Sequence, residues 1–155
     1  MLFILFSAGA DSYAIAAGEV EEVVPFARLK ELPHTHPAIA GLLNFRGQPV
    51  PVLDMNCLLG KPPVQESFTT RILLCRGLLL AEPDRLLGLA AENVIATQRI
   101  EESEFRAPGA SFAGAPLIGW IHELPDGRYL QRIHPGWILS EEVAQQLVAS
   151  AKGAA

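Results

Sequence analysis

The segment Gly41-Leu42-Leu43-Asn44-Phe45-Arg46-Gly47-Gln48-Pro49-Val50-Pro51-Val52-Leu53-Asp54 is the most informative stretch of the 155-residue sequence. It is typical of a β-hairpin, because a bend from Asn44 to Gly47 separates two apolar runs and Gly47 can adopt positive φ. Pro49 and Pro51 lie two positions apart, so both missing N–H groups fall on the same side of the second strand. That side of the strand is therefore predicted to be an edge or an irregular gap in the sheet.

Outward from this hairpin, short apolar runs punctuated by Gly, Pro, Asp and Asn predict strands and turns. The predicted strands are residues 2–6, 13–17, 20–24, 42–45, 50–53, 71–75, 78–81, 86–90, 94–97, 117–121 and 129–133. Asp54 is predicted to cap a helical turn at 56–59, and 107–116 is predicted to be a loop. Ser140 is predicted to cap an amphipathic C-terminal helix at 140–152, with an apolar stripe of Val143, Leu147 and Val148.

Two pairs of segments in the sequence resemble each other. Residues 15–20 are similar to 89–94, and residues 41–59 are similar to 119–139. The two pairs have a similar offset, which predicts two related β-subdomains. Chance similarity among apolar strands is the alternative explanation.

Composition excludes several classes of protein. Twelve Lys and Arg against 17 Asp and Glu give a net charge of −5, which argues against a nucleic-acid binder. A chain of this size can bury roughly 70% of its unfolded surface, so it needs no disulfide, and Cys57 and Cys75 are expected to be reduced thiols. The apolar start lacks a basic flank, and no window approaches the ~20 apolar residues that span a bilayer. Neither a signal peptide nor direct membrane insertion is expected.

The sequence offers no set of residues for chemistry. His34 and His36, with Cys57 further on, form a poor ligand set, so no metal or cofactor is expected. No Walker loop, His-Glu-x-x-His or Gly-x-Ser-x-Gly pattern is present, although a Ser-His-Asp set could assemble in space. The candidate acid/base groups are better explained as solvated charges: Asp84, Glu101, Glu102 and Asp126.

The order Gly41, two aliphatic residues, Asn44, Arg46-Gly47 and Pro51-Val52-Leu53-Asp54 resembles the signature of the CheW family, whose members couple chemoreceptors to a histidine kinase. The resemblance extends over residues 2–139 and includes Val20-Glu21-Glu22-Val23. Glu92 and His134 stand where the family usually has Asp.

The resemblance implies a mainly β fold in a single domain, residues 1–155. Its two small five-stranded, SH3-like barrels would be intertwined with a groove between them, accompanied by short helices and the C-terminal helix. It also implies a non-catalytic cytoplasmic adaptor with two partners, which are the regulatory domain of a CheA-type histidine kinase and the hairpin tip of a chemoreceptor's cytoplasmic helix bundle. Such an adaptor reaches membrane receptor arrays through its partners.

Arg46 is the leading site candidate, because a hairpin-tip guanidinium can make paired hydrogen bonds inside the protein or to a partner. The residues expected to serve partner binding or coupling are Val20, Glu22, Val23, Leu43, Asn44, Arg46, Gly47, Pro51, Val52 and Asp54. For Val20, Leu43 and Val52, core and interface both remain open. Two other functions also remain open: an adaptor of a non-flagellar pathway, and a small ligand-binding barrel or enzyme.

Overall fold

The computed structural model describes residues 1–107 and 120–153, with side chains as far as Val148. This part of the chain is mainly β, with only two helices. The strands are β1 Leu2–Ala8, β2 Asp11–Ala16, β3 Glu22–Pro25, β4 Ile39–Phe45, β5 Gln48–Asp54, β6 Arg71–Arg76, β7 Leu86–Arg99, β8 Ile121–Glu123 and β9 Tyr129–Arg132. The helices are α1 Met55–Leu58 and α2 Glu141–Gly153, and 3-10 turns occur at Ala17–Glu19, Glu102–Glu104 and Pro135–Trp137.

The strands form two five-stranded barrels that share β7. In the first barrel, the second half of β7 pairs with β1, with Arg99 opposite Leu2, and β1 pairs with β2. Strand β2 then pairs in parallel with β9, which pairs with β8. In the second barrel, the first half of β7 lies between β5 and β6, with Val52 and Leu74 on either side of Gly88. There β3 pairs with β6, and β4 with β5. The prediction of two intertwined five-stranded barrels is confirmed.

Among the described residues, one isolated pair closes each barrel. Lys30, which follows β3, exchanges two backbone hydrogen bonds of 2.9 Å with Leu42 in β4. Arg106, which follows β7, exchanges two of 2.8 Å with Ile121 in β8. In both cases the chain bends after a strand at one edge and returns to the strand at the opposite edge.

Strand β7 crosses from the second barrel to the first at Asn93. Asn93 has a left-handed backbone conformation with φ 54°, which Asn tolerates better than most residues. The register of β7 against β1 shifts close to this point, between Leu5 and Ser7. The Asn93 amide donates to Ser7 Oγ at 2.6 Å, and the Thr69 hydroxyl donates to Asn93 Oδ1 at 3.3 Å. The crossing is therefore fixed by side-chain hydrogen bonds as well as by the backbone.

Apolar side chains alternate between a barrel interior and a core shared by the two barrels. In β1, Phe3 lies inside the first barrel, while Ile4 and Phe6 face the shared core. In β6, Ile72 lies inside the second barrel, while Leu73 faces the shared core. Because both faces of these strands are buried, the sequence shows near-continuous apolar runs instead of alternation. The shared core holds the barrels in a fixed relation.

The proline side of β5 is an open edge, as predicted. Strand β5 pairs with β4 along its length but with β7 only from Val52 onward. In the described part of the chain, no strand pairs with Pro49 or Pro51 on the side away from β4. The prolines therefore leave no strand without a hydrogen-bond donor, because no strand pairs with them on this side.

Four of the predicted strands differ from the structure. Residues 86–90 and 94–97 belong to the single strand β7, because the polar pair Glu92-Asn93 bends the strand without ending it. Residues 78–81 form a turn, since Gly77 at φ 78° redirects the chain after β6. Strand β3 starts at Glu22 instead of residue 20, after a 3-10 turn. The predicted loop at 107–116 and strand at 117–121 fall mostly outside the described residues.

The two sequence echoes occupy equivalent places in the fold. Residues 15–20 lead from β2 of the first barrel toward β3 of the second, and residues 89–94 follow β7 from the second barrel into the first. Residues 41–59 cover β4, β5 and α1, and the described part of 119–139 covers β8, β9 and a 3-10 turn. The first half of the chain gives β1 and β2 to the first barrel and β3, β4 and β5 to the second. The second half gives β6 and β7 to the second barrel and β7, β8 and β9 to the first, with β7 counted in both.

Helix α2 covers one side of the shared core. Val143 and Leu147 are buried there. The Gln146 side chain accepts the His36 backbone N–H at 2.6 Å, and Arg85 donates to the Leu147 carbonyl at 2.8 Å. In the ranges 1–107 and 120–153, no helix is long and apolar enough to cross a membrane.

Candidate functional site

The β4–β5 hairpin ends in a two-residue loop, Arg46-Gly47. Both residues have positive φ, 51° and 81°, which is the geometry of a type I′ turn. The Asn44 side chain accepts the Gly47 N–H at 3.0 Å and fixes the bend. Asn, Asp or Gly usually occupies the position that Arg46 holds, so this arginine sits at an unfavourable backbone position.

The Arg46 side chain reaches Glu22, which lies in β3. Its Nη2 lies 3.3 Å from Glu22 Oε1, and its guanidinium carbon lies 4.7 Å from the centre of the Phe45 ring. With the Arg46 side chain 74% exposed, such an ion pair adds about 0–1 kcal/mol to stability. We call Glu22, Asn44, Arg46 and Gly47 the hairpin-tip surface. Val23 is 41% exposed and points to the opposite face of β3.

The other sequence candidates lie inside the protein. Leu43 and Val52 are part of the core of the second barrel, and Pro51 is also buried. Asp54 caps α1 as predicted, because its Oδ1 accepts the Cys57 N–H at 3.1 Å and its Oδ2 accepts the Val64 N–H at 2.9 Å. Half-buried Val20 packs against the shared core. These residues can shape a surface but have little or no area with which to touch a partner.

A second surface, which we call the inter-barrel groove, runs between the barrels. Its polar end has a volume of about 570 Å³ and is lined by the 3-10 turn Pro135–Trp137 and by side chains that follow β2, β6 and β9. Arg76 Nε lies 2.6 Å from Glu21 Oε2. His134 Nδ1 lies 3.6 Å from Glu19 Oε1, and the His134 and Trp137 ring centres are 4.1 Å apart.

The apolar end of the inter-barrel groove lies between the turn after β6 and helix α2. It has a volume of about 780 Å³, and Leu139, Ala144 and Val148 contribute to its walls. Leu80 stands at this end with 98% of its surface exposed. Leu78 and Gly136 line both ends, so the two cavities adjoin each other.

The two cysteines are free thiols, and His36 makes a local hydrogen bond. Burial raises the pKa of Cys75 to about 12, and burial together with Asp54 raises the pKa of Cys57. Both thiols therefore stay protonated near neutral pH and are poor nucleophiles. His36 accepts the Ala38 N–H at 3.0 Å, a structural contact. Among residues 1–107 and 120–153, no group of three His, Cys, Asp or Glu side chains could hold a metal ion.

Sequence reasoning missed the residues of the inter-barrel groove. Leu80 was hidden in an apolar run that resembled a strand, and its exposure depends on the turn at Gly77. Trp137 follows the last described strand, and its 54% exposure is visible only in the folded chain. The only sequence feature that pointed to this groove was His134, which stands where the family usually has Asp. In the structure its ring packs against Trp137.

Comparison with known proteins gives three similarities. A family model described as CheW-like domain matches residues 2–143. The chemotaxis protein CheW of Bacillus subtilis is 26% identical over 104 residues, which cover 67% of this chain and 64% of that relative, just under two thirds of its length. The crystal structure of the scaffolding protein TtCheW from Thermoanaerobacter tengcongensis matches with a TM-score of 0.76 and 22% identity, covering 92% of this chain and 89% of that chain. The last similarity is one of fold.

Proposed function

Because the chain belongs to the CheW-like domain family, we propose that it is a non-catalytic adaptor that joins a chemoreceptor to a CheA-type histidine kinase. It works in the cytoplasm and reaches the membrane receptor array through these partners. The observation that carries the proposal is the inter-barrel groove, an open cleft with exposed Leu80 and Trp137 at its two ends. Large apolar side chains exposed along a cleft are typical of protein-binding sites.

The inter-barrel groove is the docking site for the receptor. A receptor hairpin tip consists of helices, and an amphipathic helix binds by placing its apolar face in a hydrophobic groove. Full burial of Leu80 by such a helix would contribute about 1.5–3 kcal/mol. Val20 acts here by packing beneath its neighbours Glu19 and Glu21, which line the polar end.

The hairpin-tip surface is the docking site for the kinase regulatory domain. The Arg46–Glu22 ion pair adds little to the stability of the fold. The Arg46 guanidinium can therefore donate hydrogen bonds to a partner's carboxylate or carbonyl groups. An arginine at positive φ is also a costly choice for a turn, which favours a role outside folding. Asn44 and Gly47 hold the turn, and Leu43, Pro51 and Val52 support its two strands from inside. Val23 faces away from Glu22 and Asp54 caps α1, so neither is part of this contact.

Separate binding measurements test the two surfaces. We expect the purified chain to bind both the receptor cytoplasmic fragment and the kinase regulatory domain that are encoded with it. Leu80→Asp should weaken receptor binding at least about tenfold and leave kinase binding intact, while Arg46→Ala should do the reverse. Ile95→Asp, at an exposed site of β7 outside both surfaces, is the control for receptor binding.

Two results would contradict the proposal. If the unmodified chain binds neither partner, the adaptor function is wrong. If folded Arg46→Ala controls the kinase normally in reconstituted receptor arrays, the hairpin-tip surface has no coupling role.

A further inference from the structure

We propose that the polar end of the inter-barrel groove is a subsite for one cationic side chain, an arginine or lysine carried by the docking helix. The inference rests on the proposed function, because it concerns the same groove. It specifies the charge of one side chain on the docking helix that the groove would bind.

An aromatic face is available at this end. Trp137 is 54% exposed, and its ring packs against His134 at an angle of 39°. Because His134 supports the ring from one side, the exposed part of the indole can receive a guanidinium or ammonium group. Trp is the aromatic side chain that binds cations best, and Arg stacks on such faces readily. His134 is thus a positioning residue that holds the indole beside Glu19.

A carboxylate stands beside that aromatic face. Glu19 lies 3.6 Å from His134, and among the described residues no Lys or Arg forms an ion pair with it. Glu21 differs, because Arg76 neutralises it at 2.6 Å. Glu141, at the apolar end, adds a further negative charge to the groove. The groove therefore has a surplus of carboxylate, which complements a cation and repels an acidic ligand.

The two ends of the groove can serve a single helix. Leu78 and Gly136 line both ends, so apolar side chains seated against Leu80 and Val148 would leave a long cationic side chain directed toward Glu19. Lys and Arg suit this geometry because their aliphatic stems pack along apolar surface while the charged head lies beyond it. The apolar end supplies contact area, and the polar end supplies selectivity.

A pair of designed peptides tests the subsite without the receptor. Both are amphipathic helices of leucine and alanine that differ only in having arginine or glutamate at one position beside the apolar stripe. We expect the arginine peptide to bind at least about fivefold more tightly than the glutamate peptide, as measured by isothermal titration calorimetry. Glu19→Gln and Trp137→Leu should each remove most of that preference. Glu66→Gln, which removes an exposed carboxylate from the linker outside the groove, should keep it.

The same variants are then measured with the receptor fragment at low and high salt. Glu19→Gln should weaken receptor binding about tenfold at low salt and reduce the salt dependence, with kinase binding unchanged. His134→Gln should weaken binding less and broaden the Trp137 emission, because it releases the ring without removing it.

The outcomes separate the two proposals. If the peptides bind equally, or if Glu19→Gln and Glu66→Gln behave alike, the cationic subsite is wrong even where the receptor binds. If the peptide preference depends on Glu19 but the receptor fragment does not bind, the subsite stands and the proposed receptor partner is wrong.

Discussion

Replacement of Gly41 by alanine tests how the second barrel closes. An alanine Cβ at this position would lie 2.5 Å from the Lys30 carbonyl oxygen and 3.1 Å from Leu29 Cβ. That carbonyl accepts the Leu42 N–H in the pair that joins the chain after β3 to β4. Alanine would therefore separate Lys30 from Leu42 and open the barrel at its seam.

The expected loss is the sum of backbone strain and broken hydrogen bonds. Gly41 has a φ of 151°, and an L-residue held in such a region costs about 1–3 kcal/mol. Loss of the two bonds between Lys30 and Leu42 costs about 0.5–1.5 kcal/mol each. The total is about 2–6 kcal/mol, a large part of the 5–15 kcal/mol that holds a typical domain.

Gly47→Ala is a matched control. Gly47 also has positive φ, 81°, but a Cβ there meets no atom within 4 Å, so only the strain of about 1–2 kcal/mol applies. Both substitutions rigidify the unfolded chain equally, so this contribution cancels in the comparison.

Urea unfolding followed by tryptophan fluorescence measures both variants, and hydrogen exchange of the Lys30 and Leu42 amides localises the effect. We expect faster exchange at these amides in Gly41→Ala only. An equal loss of stability in the two variants would refute the tight closure, and so would unchanged exchange at the seam.

Other substitutions test the cap, the C-terminal helix and a buried thiol. Asp54→Ala should lower the free energy of unfolding by about 2–4 kcal/mol, because the Cys57 and Val64 amides lose their acceptor; an unchanged urea midpoint would contradict the cap. Leu147→Ala should cost about 2–5 kcal/mol if α2 is part of the core, and a loss near zero would mean that the helix is not docked. Burial raises the pKa of Cys75 from 9.0 to about 12, so only the unfolded thiol ionises in this interval. Stability should thus fall as pH rises above about 9, and Cys75→Val should flatten that slope in urea titrations; equal slopes would exclude the thiol as its cause.

Local chemistry explains which parts of the fold were predictable. The hairpin was recognisable because Gly47 and the two prolines constrain the backbone wherever the segment lies. The continuity of β7 was not, because Glu92-Asn93 has the composition of a turn and is kept in the strand by contacts with Ser7 and Thr69 from elsewhere in the chain.

The candidate site was predictable only in part for the same reason. Arg46 and Glu22 come from a family signature, and the structure brings them together across two strands. The inter-barrel groove joins residues from distant parts of the sequence, Glu19, Leu80 and Trp137 among them. No local pattern can indicate such a surface, because it exists only once the barrels have packed.

The exchange of strands between the two halves of the chain has a consequence for what either half could form alone. A half-length chain would own two strands of one barrel and three of the other, so it could close neither alone. Two identical copies could complete each other around a twofold axis, as domain-swapped dimers do. The present chain is equivalent to such a dimer joined by the linker between β5 and β6. Because the two halves of a single chain can differ in sequence, the two barrels can present different surfaces, which a symmetric dimer of identical chains could not do.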